Sequence, residues 1–193
     1  MQAVLARPTA PRRQIVPSAL LGTLIFVAAE TMFFAGMMSA FTISKANAVG
    51  GIWPPYGAPR LPVDAALLNT LLLLASGVLL VVANRMYARQ PSHARAWVLG
   101  TWALGLTFVL LQAREWRALV GQGMTVTSSA LGSFFYLLVG GHSLQAAGAL
   151  LLLGVVAVKL WRGTLAPGLF TAAQVLWFFV VALWPVIFFR LYF

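Results

Sequence analysis

Long apolar runs separated by short polar segments account for most of this chain. The runs cover about residues 19–43, 65–83, 96–116, 131–158 and 169–189. The hydrocarbon core of a bilayer is about 30 Å thick, and a helix needs about 20 apolar residues to cross it. The pattern therefore predicts an all-α polytopic membrane protein, with a basic segment at residues 1–17 followed by a bundle of five transmembrane helices in residues 18–193.

The composition agrees with this membrane assignment. Hydrophobic residues make up 61% of the chain and charged residues only 8%, far below the roughly 25% charged residues of a soluble domain. The net charge of +10 comes from Lys and Arg residues scattered among the loops, which fits membrane topology better than nucleic-acid binding. The absence of cysteine excludes thiolate metal sites and iron–sulfur clusters.

Positive charges also indicate an orientation. Five spans place the two termini on opposite sides of the membrane. With a cytoplasmic N-terminus, eight Lys and Arg residues lie inside and five outside. Basic residues favour the cytoplasmic side, so we expect the N-terminus inside and the C-terminus outside, in a bacterial inner membrane.

Glu30 is the most informative single residue, because it lies in the middle of the first apolar run. An ionisable group at that depth is costly unless it faces protein, water or a partner, and it indicates a functional site. His142 and Gln145 lie three residues apart in the fourth run and share a helix face. We expect Glu30 to point into the bundle toward His142, whose role is either an interhelical hydrogen bond or a proton relay.

Small residues mark faces for close helix packing, since membrane helices approach one another where side chains are small. In the first span they recur every seven residues, and the fourth span repeats the pattern. The predicted packing residues are Gly22, Ala29, Gly36, Gly140, Ala147 and Gly154.

Other polar and aromatic residues lie near the ends of the spans. Asn69, Thr70 and Ser76 give the second span a polar side, which predicts another helix contact. Two further groups are expected at the outer face. The third span ends in Gln112, Glu115 and Trp116, and the stiff proline-rich loop contains Trp53, Pro54 and Pro55.

Six short motifs in this order resemble subunit III of the haem–copper oxidases, in its short five-helix form. They run from about residue 25 to residue 190. They are Ala29-Glu30-Thr31-Met32-Phe33-Phe34, Trp53-Pro54-Pro55-Tyr56-Gly57, Leu67-Leu68-Asn69-Thr70-Leu71 with Leu74-Ala75-Ser76-Gly77, Leu111-Gln112-Ala113-Arg114-Glu115-Trp116, Gly132-Ser133-Phe134-Phe135-Tyr136 and Gly140-Gly141-His142. The chain departs from the family at Gln145, where a second histidine is usual, and in the last span, which keeps Trp177 and Trp184 but lacks the usual His and Asp.

The resemblance implies an accessory subunit without a catalytic residue, haem or metal of its own. Haem and copper would belong to partner subunits, with this chain packed against the haem-bearing subunit I, binding phospholipid and supporting proton uptake and stability of the complex. The electron donor, cytochrome c or quinol, stays open. Two alternatives are an accessory protein of a nitric-oxide reductase system and an independent channel or transporter.

Overall fold

The computed structural model describes residues 17–48, 50, 52–55 and 57–193, so the predicted basic segment lies almost entirely outside the described residues. Five long helices form the described part. They are α1 (Ser18–Ala46), α2 (Val63–Arg89), α3 (Ala94–Gly121), α4 (Ala130–Trp161) and α5 (Pro167–Tyr192). All five are long and apolar enough to cross a membrane, which confirms the predicted fold class.

At both ends, each helix extends one to six residues beyond the predicted span. The predicted spans included only the apolar runs, whereas the helices also include the polar residues beside them. The side chain of Ser129 caps α4 by accepting a hydrogen bond from the Gly132 amide at 3.1 Å. Pro167 occupies the first turn of α5, where a missing N–H does no harm. Helix α2 begins after Pro62 without a side-chain cap.

Successive helices run in opposite directions and create two ends. We call one the turn end: it comprises the start of α1, the Pro91–His93 turn between α2 and α3, and residues 162–166 between α4 and α5. The other is the loop end, with the end of α1, the start of α2, residues 122–129 and the end of α5. At the loop end the Lys45 ammonium donates to the Phe193 carbonyl at 3.0 Å.

The core lies among α2, α3, α4 and α5, and α1 packs on its outside against α4 and α5. Large aromatic side chains fill this core, and Trp177, Trp184 and Phe108 are fully buried. By contrast, Phe34 and Phe41 are the only buried residues of α1. Most of the α1 surface is therefore not covered by the described residues and can contact lipid or another protein.

Candidate functional site

His142 is fully buried between α3 and α5. Its Nε2 lies 3.0 Å from the Val180 carbonyl oxygen, and a carbonyl can only accept, so Nε2 carries the hydrogen. The ring lies 5.0 Å from that of Trp184 and 5.9 Å from that of Phe108, measured between centroids. Its Nδ1 is buried and has no hydrogen-bond partner in the part of the chain that the structure describes. The arrangement makes His142 a hydrogen-bonding link between α4 and α5.

Glu30 is half-buried and lies on the same side of α1 as Phe34 and Phe41. The Phe34 ring packs against α4 at Gly141, 3.5 Å from the position that a Cβ would occupy. Because α1 and α4 run antiparallel, one helical turn from this contact brings Glu30 level with Gln145. Both polar atoms of the Gln145 amide are buried without a hydrogen-bond partner among the described residues, so a polar group lies at the same depth as Glu30.

The described residues show no hydrogen bond between Glu30 and His142, and the orientation of Glu30 toward His142 stays a prediction. The hydrogen bond of His142 goes to Val180 on α5, and its other ring nitrogen has no partner. The reason is geometric: successive helix residues are about 100° apart, so the face of α4 that meets α1 at Gly141 differs from the face that carries His142. Gln145 lies between these two directions.

The small residues of α4 pack against tryptophans of α3. A Cβ at Gly140 would lie 3.4 Å from the Trp116 ring, and one at Gly154 would lie 3.3 Å from Trp102 Nε1. Trp102 also donates to the Leu150 carbonyl at 3.1 Å. Ala147, midway between the two glycines, is half-buried.

The small residues of α1 behave differently. Gly22, Ala29 and Gly36 are exposed, and nothing lies within 4 Å of a Cβ built at Gly22 or Gly36. This face of α1 packs against no other part of the described chain. It stays a predicted packing face, and any helix that packs against it lies outside the described residues.

Two indole N–H groups of α5 bind hydroxyls of α2. Trp184 donates to Thr70 at 2.8 Å, and Trp177 donates to Ser76 at 3.1 Å. The polar side of α2 was predicted as a helix contact, but its tryptophan partners were not. The available signal was spacing, since Trp177 and Trp184 lie about two turns apart and so do the two hydroxyl residues.

A second polar contact lies nearer the loop end. Asn69 donates to the Gln112 side-chain oxygen at 3.0 Å, and both residues are almost completely buried. Glu115, one turn further along α3, is half-buried, and its Oε2 has no hydrogen-bond partner within the described ranges. Trp116 faces Tyr136 edge-on at 5.9 Å between centroids. The end of α3 is therefore a packed polar and aromatic contact.

The proline-rich loop covers the loop end of α1. Trp53 is half-buried and packs edge-on against Phe41, with 5.6 Å between centroids. Pro54 is exposed, whereas Pro55 is half-buried and its carbonyl accepts from the Ala58 amide at 3.1 Å. Trp53 and Pro55 help to line a cavity of about 470 Å³ beside the end of α1.

The chemistry of these groups favours holding helices together. Among the described residues there is no cluster of three or more His, Cys, Asp or Glu side chains able to hold a metal ion. The buried polar contacts join side chains of α2 to side chains of α3 and α5, and join the His142 side chain of α4 to a backbone carbonyl of α5. Such contacts stabilise helix association in a membrane.

Comparison with known proteins shows which family the chain is similar to. The sequence model of the family "Cytochrome c oxidase subunit III" matches residues 12–193. The cytochrome c oxidase subunit 3 of Corynebacterium diphtheriae is 35% identical over 179 residues, which are 89% of this chain and 86% of that protein. The probable cytochrome c oxidase subunit 3 of Mycobacterium bovis is 35% identical over 176 residues, with the same coverage of each chain. The mouse cytochrome c oxidase subunit 3 is 35% identical over 129 residues, which cover 64% of this chain and 48% of that protein.

Proposed function

The chain belongs to the cytochrome c oxidase subunit III family, and we propose that it binds the haem-bearing catalytic subunit I of a bacterial plasma-membrane oxidase. Its general role follows from the family: it is a multi-pass accessory subunit of a haem–copper oxidase. The proposal adds a cytoplasmic N-terminus, an outer C-terminus, and haem and copper carried by partner subunits. Its principal support is the family match, which runs from residue 12 to residue 193.

The face of α1 that carries Gly22, Ala29 and Gly36 is our candidate for the contact with subunit I. Lipid chains are as apolar as leucine, so exposure to lipid alone gives no reason for a line of small residues. The three recur every seven residues on one exposed side, with open space beside both glycines. A helix of another subunit can approach closely there.

Glu30 lies about 100° around α1 from Ala29, on a half-buried side of the helix, and supports a second part of the proposal. The Glu30 side chain can exchange hydrogen bonds with the amide of Gln145, whose two polar atoms have no partner among the described residues. We assign Glu30 and Gln145 a role in maintaining the position of α1. By holding α1 in place, they support proton uptake by the catalytic subunit and the durability of that subunit. Phospholipid fills the remaining exposed surface of the bundle.

Replacing small residues of the α1 face by leucine tests the contact. The variant carries Gly22→Leu and Gly36→Leu. The matched control carries Ala28→Leu and Ala35→Leu, two exposed residues that lie one position before Ala29 and Gly36 on the same helix. The haem that copurifies with a tagged chain is measured spectroscopically. We expect the first variant to lose most of the haem and the control to retain it, at equal chain yield.

A similar loss of haem from both variants would contradict the assignment of the contact to this face of α1. The proposal that the chain binds subunit I would still stand. If the unmodified tagged chain copurified with no haem at all, the proposed partnership with subunit I would itself be wrong.

A further inference from the structure

A groove opens on the α3–α4 surface at the turn end of the molecule. Its volume is about 500 Å³. It is lined by Trp102 of α3 and by Leu151, Gly154, Val155, Val158, Lys159, Arg162 and Thr164 of α4 and the turn that follows. The groove thus has an apolar part toward the middle of the membrane and a polar part at its end.

Gly154 and Trp102 form the apolar part. Gly154 has no side chain, and a Cβ there would lie 3.3 Å from Nε1 of Trp102. The indole is held in place by its 3.1 Å hydrogen bond to the Leu150 carbonyl. From Leu151 to Val158 the groove follows α4 for about 10 Å, since a helix rises about 1.5 Å per residue. A section of an extended acyl chain fits this shape.

Lys159, Arg162 and Thr164 supply the polar part. Arg95 lies nearby and donates to the Trp161 carbonyl at 3.4 Å. Among the described residues the turn end carries Arg85, Arg89, Arg95, Lys159 and Arg162 but no Asp or Glu. The two cations of the groove are therefore not neutralised by a carboxylate at this end, which makes the polar part complementary to an anion.

We propose that this groove binds one anionic phospholipid from the leaflet at the turn end. Its phosphate lies between Lys159 and Arg162, where the Thr164 hydroxyl can donate to it, and one acyl chain lies over Gly154 against Trp102. Net negative charge favours a lipid such as phosphatidylglycerol over phosphatidylcholine, because the polar part offers no carboxylate to pair with choline. The inference makes the lipid binding proposed above specific, but it does not depend on the contact between α1 and subunit I.

Native mass spectrometry of the detergent-purified complex, titrated with phosphatidylglycerol, tests the site. The test variant is Lys159→Gln with Arg162→Gln. The matched control, Arg85→Gln with Arg89→Gln, removes the same charge from exposed positions at the same end, outside the groove. We expect roughly 30-fold weaker binding of one lipid in the test variant, because each basic residue near an anionic lipid contributes about fivefold. The control should bind as the unmodified complex does.

The charge-conserving variant Lys159→Arg with Arg162→Lys should retain binding. Equal loss in the control pair, equal affinity for phosphatidylcholine, or displacement of the lipid by excess inorganic phosphate would each overturn the proposal. Equal loss in the control pair would indicate attraction to basic residues in general. Equal affinity for phosphatidylcholine would indicate a site that recognises only the acyl chains, and displacement by phosphate would indicate a site for a free anion. Haem content of the same samples is read separately, so loss of the lipid site and loss of the catalytic partner can be distinguished.

Discussion

His142 illustrates how single residues of this chain place polar atoms inside a membrane. Its Nε2 hydrogen goes to the Val180 carbonyl, which is a neutral acceptor on a neighbouring helix. The indoles of Trp177 and Trp184 likewise bind hydroxyls of α2. An unsatisfied polar group costs several kcal/mol in hydrocarbon, so contacts between neutral groups allow polar residues without burying charge.

Trp184 and Thr70 offer a direct measurement of such a contact. We expect Trp184→Phe and Thr70→Val each to lower the free energy of unfolding, with a coupling energy of about 0.6 kcal/mol and at most about 1.7 kcal/mol, as for other membrane hydrogen bonds. A double-mutant cycle by SDS unfolding in mixed micelles gives the value. The control Trp161→Phe changes an exposed indole and should have little effect. Strictly additive losses from Trp184 and Thr70 would mean that the contact contributes nothing.

Glu30 provides a second prediction for a single residue. We expect Glu30→Gln to preserve assembly, because the amide keeps the shape of the side chain and can still form hydrogen bonds. Glu30→Lys should sharply reduce the haem recovered with the chain, since it places a charge on the half-buried side of α1. Thr31→Lys is the control, with the same charge at the same depth on an exposed position. If both lysine variants assembled equally well, the side of α1 on which Glu30 lies would be irrelevant.

The limits of sequence reasoning are clearest for these residues. The depth of Glu30 and His142 followed from their positions in apolar runs, and so did the shared face of His142 and Gln145. Their partners did not, because contact depends on how far each helix is rotated about its axis. Packing of Phe34 against Gly141 sets that rotation for α1 and α4, and no periodicity in either helix encodes it.

Whole helices were predictable to within a few residues, since each needs only an apolar run of sufficient length. The faces through which they pack were predicted less well. Glycines every seven residues indicated a contact on α4, where Gly140 and Gly154 meet tryptophans, but the similar line on α1 meets nothing in the described chain. Gly105, which no repeat marked, leaves the space that the Trp177 ring occupies.

Gly105 therefore gives a prediction about helix packing. A Cβ at this position would lie 2.5 Å from the Trp177 ring and 2.9 Å from Leu150. The ring cannot move freely, because it is fully buried and its N–H is bound to Ser76. We expect Gly105→Ala to lower the free energy of unfolding by about 1–3 kcal/mol through overpacking. The same SDS assay should find little loss, or a small gain, for Gly148→Ala, where a Cβ meets nothing within 4 Å. Equal effects at the two glycines would show that α3 can move away from Trp177 at little cost.

At the scale of the whole molecule, the two ends differ in charge balance. The described residues place five Lys or Arg residues at each end, but Asp64 and Glu115 lie only at the loop end. Acidic residues contribute little to membrane orientation, so the described ends alone give no preference. The difference of eight to five comes from Arg7, Arg12 and Arg13, which precede the described residues.

These three arginines should therefore decide which way the bundle is inserted. We expect reporter fusions to place the N-terminus in the cytoplasm and the C-terminus outside, because basic residues close to the first span resist translocation. Replacing Arg7, Arg12 and Arg13 with Gln leaves five basic residues on each side, so the fusions should then report a mixture of orientations. Replacing Arg60, Arg114 and Arg117 at the loop end changes the charge by the same amount and should strengthen the original orientation. A uniform orientation after removal of the N-terminal arginines would show that another feature of the chain, and not its charge balance, directs insertion.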